Sequence, residues 1–279
     1  MSIQKPLISY STDFGPGNKG HGIMRAVALE ICPNAEIIEL FTNVSDFNIT
    51  EGARLFECVK WMPKGFHVCV VDPGVGTKRR PIIIETQRGD FLIGPDNGVL
   101  IPAARFLGGI KKAVEITNKK LMRDEISNVF HGRDVFMPAA AHLANGVAIG
   151  EFGKEIEIGK EGNGIEIGKL AKAPYEEAVF RNGKIECQII DTNKFGNVFV
   201  NVLAGEMHKL AKIGEMISVK LPKKKIKTKY ANTFGEVKKL EPAIMDDDFG
   251  RVEIALNQGS FAKKFGAKIG QKVVLTALK

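Results

Sequence analysis

Two stretches of the chain carry an acid, paired arginines and a histidine, residue types that can do acid–base chemistry. Val70 to Pro81 reads VVDPGVGTKRRP, and Phe130 to Phe136 reads FHGRDVF. In the first, an apolar run ends in an acid and a glycine-rich turn, and paired arginines then lead into a second apolar run. That layout predicts Asp72, Arg79 and Arg80 at the edge of strands. The second stretch offers His131 beside the flexible Gly132. A guanidinium is permanently charged, and an imidazole can exchange a proton near neutral pH. Each residue also has a plainer use, since an Asp before Pro-Gly caps a turn and an isolated His or Arg is often structural.

Such residues need a frame, and the first half of the chain alternates strand and helix signals. LISYS (Leu7 to Ser11), AEIIELF (Ala35 to Phe41), the apolar run before Asp72, and IIIET and FLIG around the Gln87 to Asp90 turn predict strands. Unbroken Ile and Val runs mark strands buried on both faces. IMRAVALEI from Ile23 and ITEGARLFECVKWM from Ile49 predict helices, and VFMPAAAHLANG predicts a helix stopped by a glycine.

From about Glu155 the texture changes. IEIGK occurs twice, at Ile156 to Lys160 and Ile165 to Lys169, around EGNG, which is the pattern of a small hairpin. AKAPYEE (Ala171 to Glu177) reads as a linker. Beyond it, KIECQII, NVFVNV, EMISVKL, RVEIAL and KVVLTAL, separated by turn signals, predict a small antiparallel barrel. The expected organisation is an α/β domain over residues 1–172 and a β-barrel over residues 173–279.

Composition narrows the class further. With 279 residues, 44% hydrophobic and 26% charged, the chain is of ordinary globular make-up. No apolar run approaches the roughly 20 residues that cross a bilayer, and MSIQKPLISY lacks the pattern of a secretory leader, so a cytoplasmic protein off the membrane is expected. Cys32, Cys58, Cys69 and Cys187 are widely spaced with no CxxC, which speaks against structural zinc. A net charge of +8 and the run KKKIKTK (Lys223 to Lys229) leave room for nucleic acid. Lysines alternating with Ile and Thr read instead as an exposed strand guarding a sheet edge, and one Trp and three Tyr offer little stacking, so no nucleic-acid partner is expected. GNKGHG (Gly17 to Gly22) lacks the glycine spacing of a dinucleotide fingerprint.

STDFG (Ser11 to Gly15), DPGVGTKRRP, FHGRDVF, AHLANG (Ala141 to Gly146) and KFGNVFVN (Lys194 to Asn201), taken in order, resemble the S-adenosyl-L-methionine hydrolases. That family, also called the hydroxide adenosyltransferases, is the sister of the fluorinases and chlorinases. The resemblance implies a Rossmann-like N-terminal α/β domain, a smaller C-terminal antiparallel β-barrel, and a homotrimer with sites between neighbouring subunits. It also implies hydrolysis of S-adenosyl-L-methionine to adenosine and L-methionine without cofactor or metal. A sulfonium already carries a good leaving group, a neutral thioether, so no general acid is needed. What remains is to hold a water in line behind ribose C5′ and to take its proton.

By the same resemblance Asp72, Arg79 and His131 are the catalytic acid, arginine and histidine. The family's arginine lies seven residues after its aspartate, which selects Arg79 over Arg80. Asp13 matches the acid that holds the ribose diol, Asp191 the acid that receives the methionine ammonium, and Asn197 a residue on the adenine edge. Phe47 and Phe199 stand where the sisters have tryptophans, and Phe234 matches an aromatic beside adenine. Asp248, with Asp247, and Asn257 and Gln258 are expected along the methionine carboxylate and adenine. Asn18, Gly20 and the run MDDDFGR depart from the pattern of the relatives.

Halogenating sisters carry tyrosine where Asp72 stands, serine where Gly132 stands, and a long insertion after the segment matching Pro81 to Thr86. Hydrolysis is therefore expected ahead of two rivals, a halide-using adenosyltransferase and a non-catalytic sensor of S-adenosylmethionine or adenosine.

Overall fold

The Ile- and Val-rich runs of the first half form a seven-stranded sheet in a computed structural model that describes residues 5–161, 165–166 and 168–278. In chain order its elements are β1 (Leu7–Thr12), α1 (Lys19–Ile31), β2 (Glu36–Phe41), α2 (Ile49–Phe56), β3 (Phe66–Val70), β4 (Pro81–Thr86) and β5 (Phe91–Pro95). They continue with α3 (Ile101–Phe106), β6 (Ile110–Ile116), α4 (Met137–Ala144) and β7 (Gly153–Glu155). The strand order is β2-β1-β3-β5-β4-β6-β7.

Strands β2, β1, β3 and β5 are parallel, as alternating strands and helices require. The other half is antiparallel, because the Gln87 to Asp90 turn is too short for a crossover and folds β4 back on β5. Ile8, Tyr10, Val68, Val70, Ile83 and Ile93 meet Phe136 and the small residues of α4 in one core. Each such large side chain contributes about 1.5–3 kcal/mol by leaving water.

Helix α1 begins earlier than its apolar periodicity suggests. Asn18 caps it by accepting from the Gly20 N–H at 2.8 Å, and two glycines in KGHG hide that first turn from a propensity reading.

The sheet topology marks a crevice. From β1 the chain crosses to β2 on one side, then returns to place β3 on the other. The carboxyl ends of β1 and β3 therefore flank a topological switch point, the usual place for a ligand in open α/β sheets. Asp13 follows β1 and Asp72 follows β3.

Strands β8 (Lys160–Glu161) and β9 (Ile165–Glu166) pair antiparallel, in agreement with the repeated IEIGK segment as a hairpin, while residues 162–164 of its turn lie outside the described residues. The contacts divide the chain into Met1–Pro174 and Tyr175–Lys279.

The second unit comprises β10 (Val179–Arg181), β11 (Lys184–Thr192), β12 (Val198–Leu203), α5 (Ala204–Leu210), β13 (Met216–Leu221) and β14 (Lys224–Tyr230). It ends with β15 (Pro242–Asp246), β16 (Arg251–Leu256), α6 (Phe261–Phe265) and β17 (Lys272–Leu278). Pairing of β17 with β11 closes a seven-strand barrel, β11-β12-β16-β15-β14-β13-β17, and β10 adds to β11 outside it. Alternate residues such as Ile185, Ile189, Val200, Ile217, Val219 and Leu275 fill the interior.

Two features differ from the sequence reading. The barrel neighbours β14 and β15 are parallel, joined through a longer connection that includes a short helical turn at Phe234–Glu236. The lysine-rich run lies within a closed barrel rather than on the outermost strand of a sheet: β14 pairs with β13 along the run and with β15 only at Lys229 and Tyr230, with Ile226, Thr228 and Tyr230 buried and Lys225 and Lys227 exposed.

Candidate active site

The loop 73–80 between β3 and β4 folds back on its own start. Val75 N–H donates to the Asp72 carbonyl at 3.2 Å, and the Thr77 hydroxyl donates to the Gly74 carbonyl at 2.7 Å. Gly76 has φ +74, and a Cβ there would lie 2.3 Å from the Asn128 carbonyl oxygen. Only glycine permits both the conformation and that approach. The close contact joins the two sequence stretches, since Asn128 leads directly into His131.

Arg79 returns to Asp72 across this loop. Its Nε donates to Asp72 Oδ1 at 3.0 Å and its Nη2 to Asp72 Oδ2, a bidentate fork. The same Nη2 donates to His131 Nδ1 at 3.0 Å. Arg80 goes elsewhere, pairing with Asp96 and donating to the Lys169 carbonyl. The two arginines thus differ in partners as well as in position, and His131 is tied to Asp72 through Arg79.

His131 enters a π-helical turn, Gly132–Phe136, that runs into α4. Such turns insert an extra residue and re-aim side chains, often at functional sites. Phe136, fully buried, lies 5.2 Å under the Arg79 guanidinium and meets the His131 ring edge-on at 6.4 Å. Asp134, also buried, accepts from the Ser127 N–H at 2.9 Å and so ties down the segment before His131.

Protonation follows from these contacts. An arginine only donates, so His131 Nδ1 accepts and the neutral ring carries its proton on Nε2. Burial, and after it the adjacent Arg79, hold the imidazole below its ordinary pKa, against the pull of Asp72 and Asp134. Arg79 Nη1 is buried with no hydrogen-bond partner among the described residues. A charged donor in that state is costly unless a ligand or water accepts from it.

A cavity of about 250 Å³ opens beside this cluster, with Asp13, Phe47, Asp72, His131 and Gly132 in its walls and Phe14 and Phe130 as further aromatic faces. Asp13 Oδ2 accepts from the Phe47 N–H at 3.2 Å. Burial raises the Asp13 carboxyl above its ordinary pKa, against that N–H. Phe47 holds φ +62, an unusual conformation for a non-glycine residue, and is 70% exposed. A Cβ on Gly132 would sit 3.2 Å from Met24 Sδ and 3.4 Å from Val70 Cγ1, so a larger residue there needs its neighbours to yield.

The barrel unit carries its own cavity, about 560 Å³, walled by Asn197, Phe234, Asn257 and Gln258 together with Phe195 and Leu256. Asn257 is committed locally, its Nδ2 donating to the Val237 carbonyl at 2.8 Å. Asp191 and Phe199 are register partners across β11 and β12, and they lie outside the walls of this cavity, as does Asp248. Asp248 sits exposed in the turn between β15 and β16, where Asp247 Oδ1 accepts from the N–H groups of Phe249 and Arg251. Of the three consecutive aspartates, Asp246 closes β15 and Asp247 and Asp248 lie in the turn that follows. Among the described residues no three His, Cys, Asp or Glu side chains are gathered so as to hold a metal ion.

Phe136 escaped the sequence reading because VFMPAAAHLANG looks like uninterrupted core helix, and Asp134, just before that run, because an Asp next to an Arg reads as a solvated pair. Glu253, which binds Asn197, escaped it as an outward position on an ordinary strand.

Comparison with known proteins follows the same division of the chain. Residues 8–153 match the sequence model described as SAM hydroxide adenosyltransferase N-terminal domain, and residues 185–274 match that of its C-terminal domain. A protein named (R)-S-adenosyl-L-methionine hydrolase from Salinispora tropica is 31% identical over 98% of this chain and 98% of its own. One named fluorinase from Actinoplanes sp. is 24% identical, with 97% of each chain covered. Among solved structures, an uncharacterized conserved protein from Thermotoga maritima superposes with a TM-score of 0.85 at 29% identity, covering 96% of this chain and 99% of that one.

Proposed function

The chain belongs to the SAM hydroxide adenosyltransferase family, and from that membership we propose that it is a hydrolase converting S-adenosyl-L-methionine and water to adenosine and L-methionine. Full-length relatives carrying the hydrolase name support the reaction class. The observation that carries the mechanism is Arg79 Nη1, a buried cationic donor that finds no partner among the described residues, beside Asp72 and His131.

The water seats between Arg79 and His131. It opens the Nη2 to Nδ1 contact, accepts from Nη1 and gives its proton to Nδ1, which is unprotonated at neutral pH. Asp72 keeps the guanidinium in place through Nε. The water oxygen then attacks ribose C5′ from the side opposite sulfur, the C5′–S bond breaks, and its electron pair leaves on sulfur as the neutral thioether of methionine. Arg79 stabilises the hydroxide that forms, and no cofactor or metal takes part because the sulfonium needs no Lewis acid.

Asp13, Phe47 and Gly132 stand at the cavity beside the reacting groups, Asp13 for the ribose diol. Asn197, Phe234, Asn257 and Gln258 serve the purine, and Asp191, Phe199 and Asp248 the amino-acid end, from the barrel unit. We take the working form to be a homotrimer in which neighbouring subunits share each site. Light scattering that finds a fully active monomer at assay concentration would sink that assembly.

A halide in place of water is disfavoured by the Asp72 carboxylate, which faces the cavity. Incubation with S-adenosyl-L-methionine in chloride buffer, followed by chromatography, separates the readings. Adenosine marks the hydrolase, 5′-chloro-5′-deoxyadenosine a halogenase, and unchanged substrate that nevertheless binds a sensor.

A further inference from the structure

Asn197 is 6% exposed and stands in the wall of the barrel cavity, with its side-chain amide held on one side. Its Nδ2 donates to Glu253 Oε1 at 2.5 Å. A carboxylate accepts and does not donate, so this contact decides which end of the amide is which. The NH₂ end is turned to Glu253, and Oδ1 is left as an acceptor. With the hydrogen trans to Oδ1 given to Glu253, the second Nδ2 hydrogen remains beside that oxygen.

An acceptor and a donor side by side on one rigid edge match the N6 amine and N7 of adenine. They do not match hypoxanthine or guanine, whose O6 and N7 both accept. Phe195, Phe234 and Leu256 give the cavity the flat apolar walls that a purine ring stacks on. Were the amide free to flip, its two ends would exchange and this discrimination would fade.

We infer that Glu253 is a positioning residue that makes the site select 6-aminopurines by forbidding the flip of Asn197. The inference rests on the reading of the substrate as an adenosyl compound. It adds a residue on β16, the register partner of Phe199, that none of the sequence motifs includes.

Calorimetric titration of the whole protein with adenosine and with inosine, each in the presence of L-methionine, tests this. The wild-type chain is expected to prefer adenosine by roughly 10²-fold or more, as sites built around a specific hydrogen bond do. Glu253→Gln offers Asn197 both a donor and an acceptor, and is expected to reduce that preference about tenfold, partly by tightening inosine. Glu253→Met removes the acceptor and should also reduce it, which keeps the test sound should one variant misfold by circular dichroism. Equal weakening of both nucleosides in the variants, with the ratio unchanged, would make Glu253 merely structural and overturn the inference. Failure of the wild-type chain to bind adenosine at all would instead overturn the adenosyl reading itself, and the role of Glu253 with it.

Discussion

Arg79 Nη2 contacts both Asp72 Oδ2 and His131 Nδ1, so one nitrogen joins the acid to the imidazole. Asp72 and His131 therefore keep their relation through a guanidinium fork, a shape that lysine does not reproduce. Arg79→Ala and His131→Ala are expected to lower turnover by roughly 10²-fold to 10⁴-fold while affinity for S-adenosyl-L-methionine stays within about tenfold. Arg79→Lys should rescue little. Single-turnover rates beside equilibrium titrations check this, and wild-type turnover in any of the three variants would remove Arg79 or His131 from the chemistry.

Acidity should act through the same contact. Burial first and Arg79 second hold His131 below the ordinary imidazole value of about 6.5. In the proposed mechanism the neutral ring is the competent form, so kcat/KM is expected to rise with pH and to level off through an apparent pKa under that value. Stability follows the same sign. With the folded pKa depressed, the contribution of His131 is complete above the unfolded value and is lost as pH falls through the folded one. In Arg79→Gln, loss of the neighbouring cation removes one penalty on the imidazolium, and the His131 midpoint followed by NMR should move upward. A midpoint that stays put would mean that Arg79 does not sense the ring.

Much of this architecture is visible in the residues alone. The strands before Asp13 and Asp72 are legible because runs such as VCVV are buried on both faces, and the barrel is legible from alternation in KIECQII and RVEIAL. The antiparallel half of the first sheet follows from a turn length, but the parallel pairing of β14 with β15 depends on how the connection 231–241 is routed, which no local pattern encodes. At the site, residue type offers Asp72, Arg79, Arg80 and His131 as candidates, and the resemblance to the hydrolases selects Asp72, Arg79 and His131 among them. The order Asp72 to Arg79 to His131 is not legible, because it depends on the contact of Gly76 with Asn128 and on a π-turn inside an apparently regular helix.

A buried polar network far from the loop chemistry should govern acid stability. Ser9, His67 and Asp90 are fully buried; Ser9 Oγ and His67 Nδ1 are 2.7 Å apart, and Asp90 takes His67 Nε2 at 3.3 Å and both arms of Arg88. Burial pushes the Asp90 carboxyl up, yet the hydrogen bonds from His67 and Arg88 outweigh it and hold the group well below the usual carboxylate range. Asp90→Asn, which leaves Arg88 without its counter-charge, is expected to cost about 3–5 kcal/mol at neutral pH. Because the folded pKa is depressed, that stability is present above about pH 4 and fades as pH falls toward the folded value. Urea titrations at pH 7 and pH 3 should show the gap between wild type and variant narrowing in acid; a gap independent of pH would point to packing.

Chelation is the simplest test of the water-activating roles. If Arg79 and His131 suffice to prepare the nucleophile, exhaustive dialysis against EDTA leaves turnover unchanged. Loss of activity that a divalent ion restores would transfer water activation to a metal and leave Arg79 Nη1 without its assigned work.

The decisive measurement concerns which bond breaks and from which side. Attack of water on C5′ in line with sulfur requires that reaction in ¹⁸O-labelled water place the label in the 5′ hydroxyl of adenosine and none in methionine. Stereochemistry must agree. A substrate chirally deuterated at C5′ should give inverted adenosine, because a single displacement inverts, whereas a covalent adduct displaces twice and retains. Asp72 is the one carboxylate beside the cavity that also holds Arg79, and it is the natural candidate for such an adduct. Its two oxygens are both engaged by the guanidinium, which withdraws their electron density and fixes them in the plane of the fork. Inversion is therefore expected, and so is complete labelling of adenosine. Retention would make Asp72 the nucleophile and reduce Arg79 and His131 to the hydrolysis of an ester, a different mechanism on the same three residues.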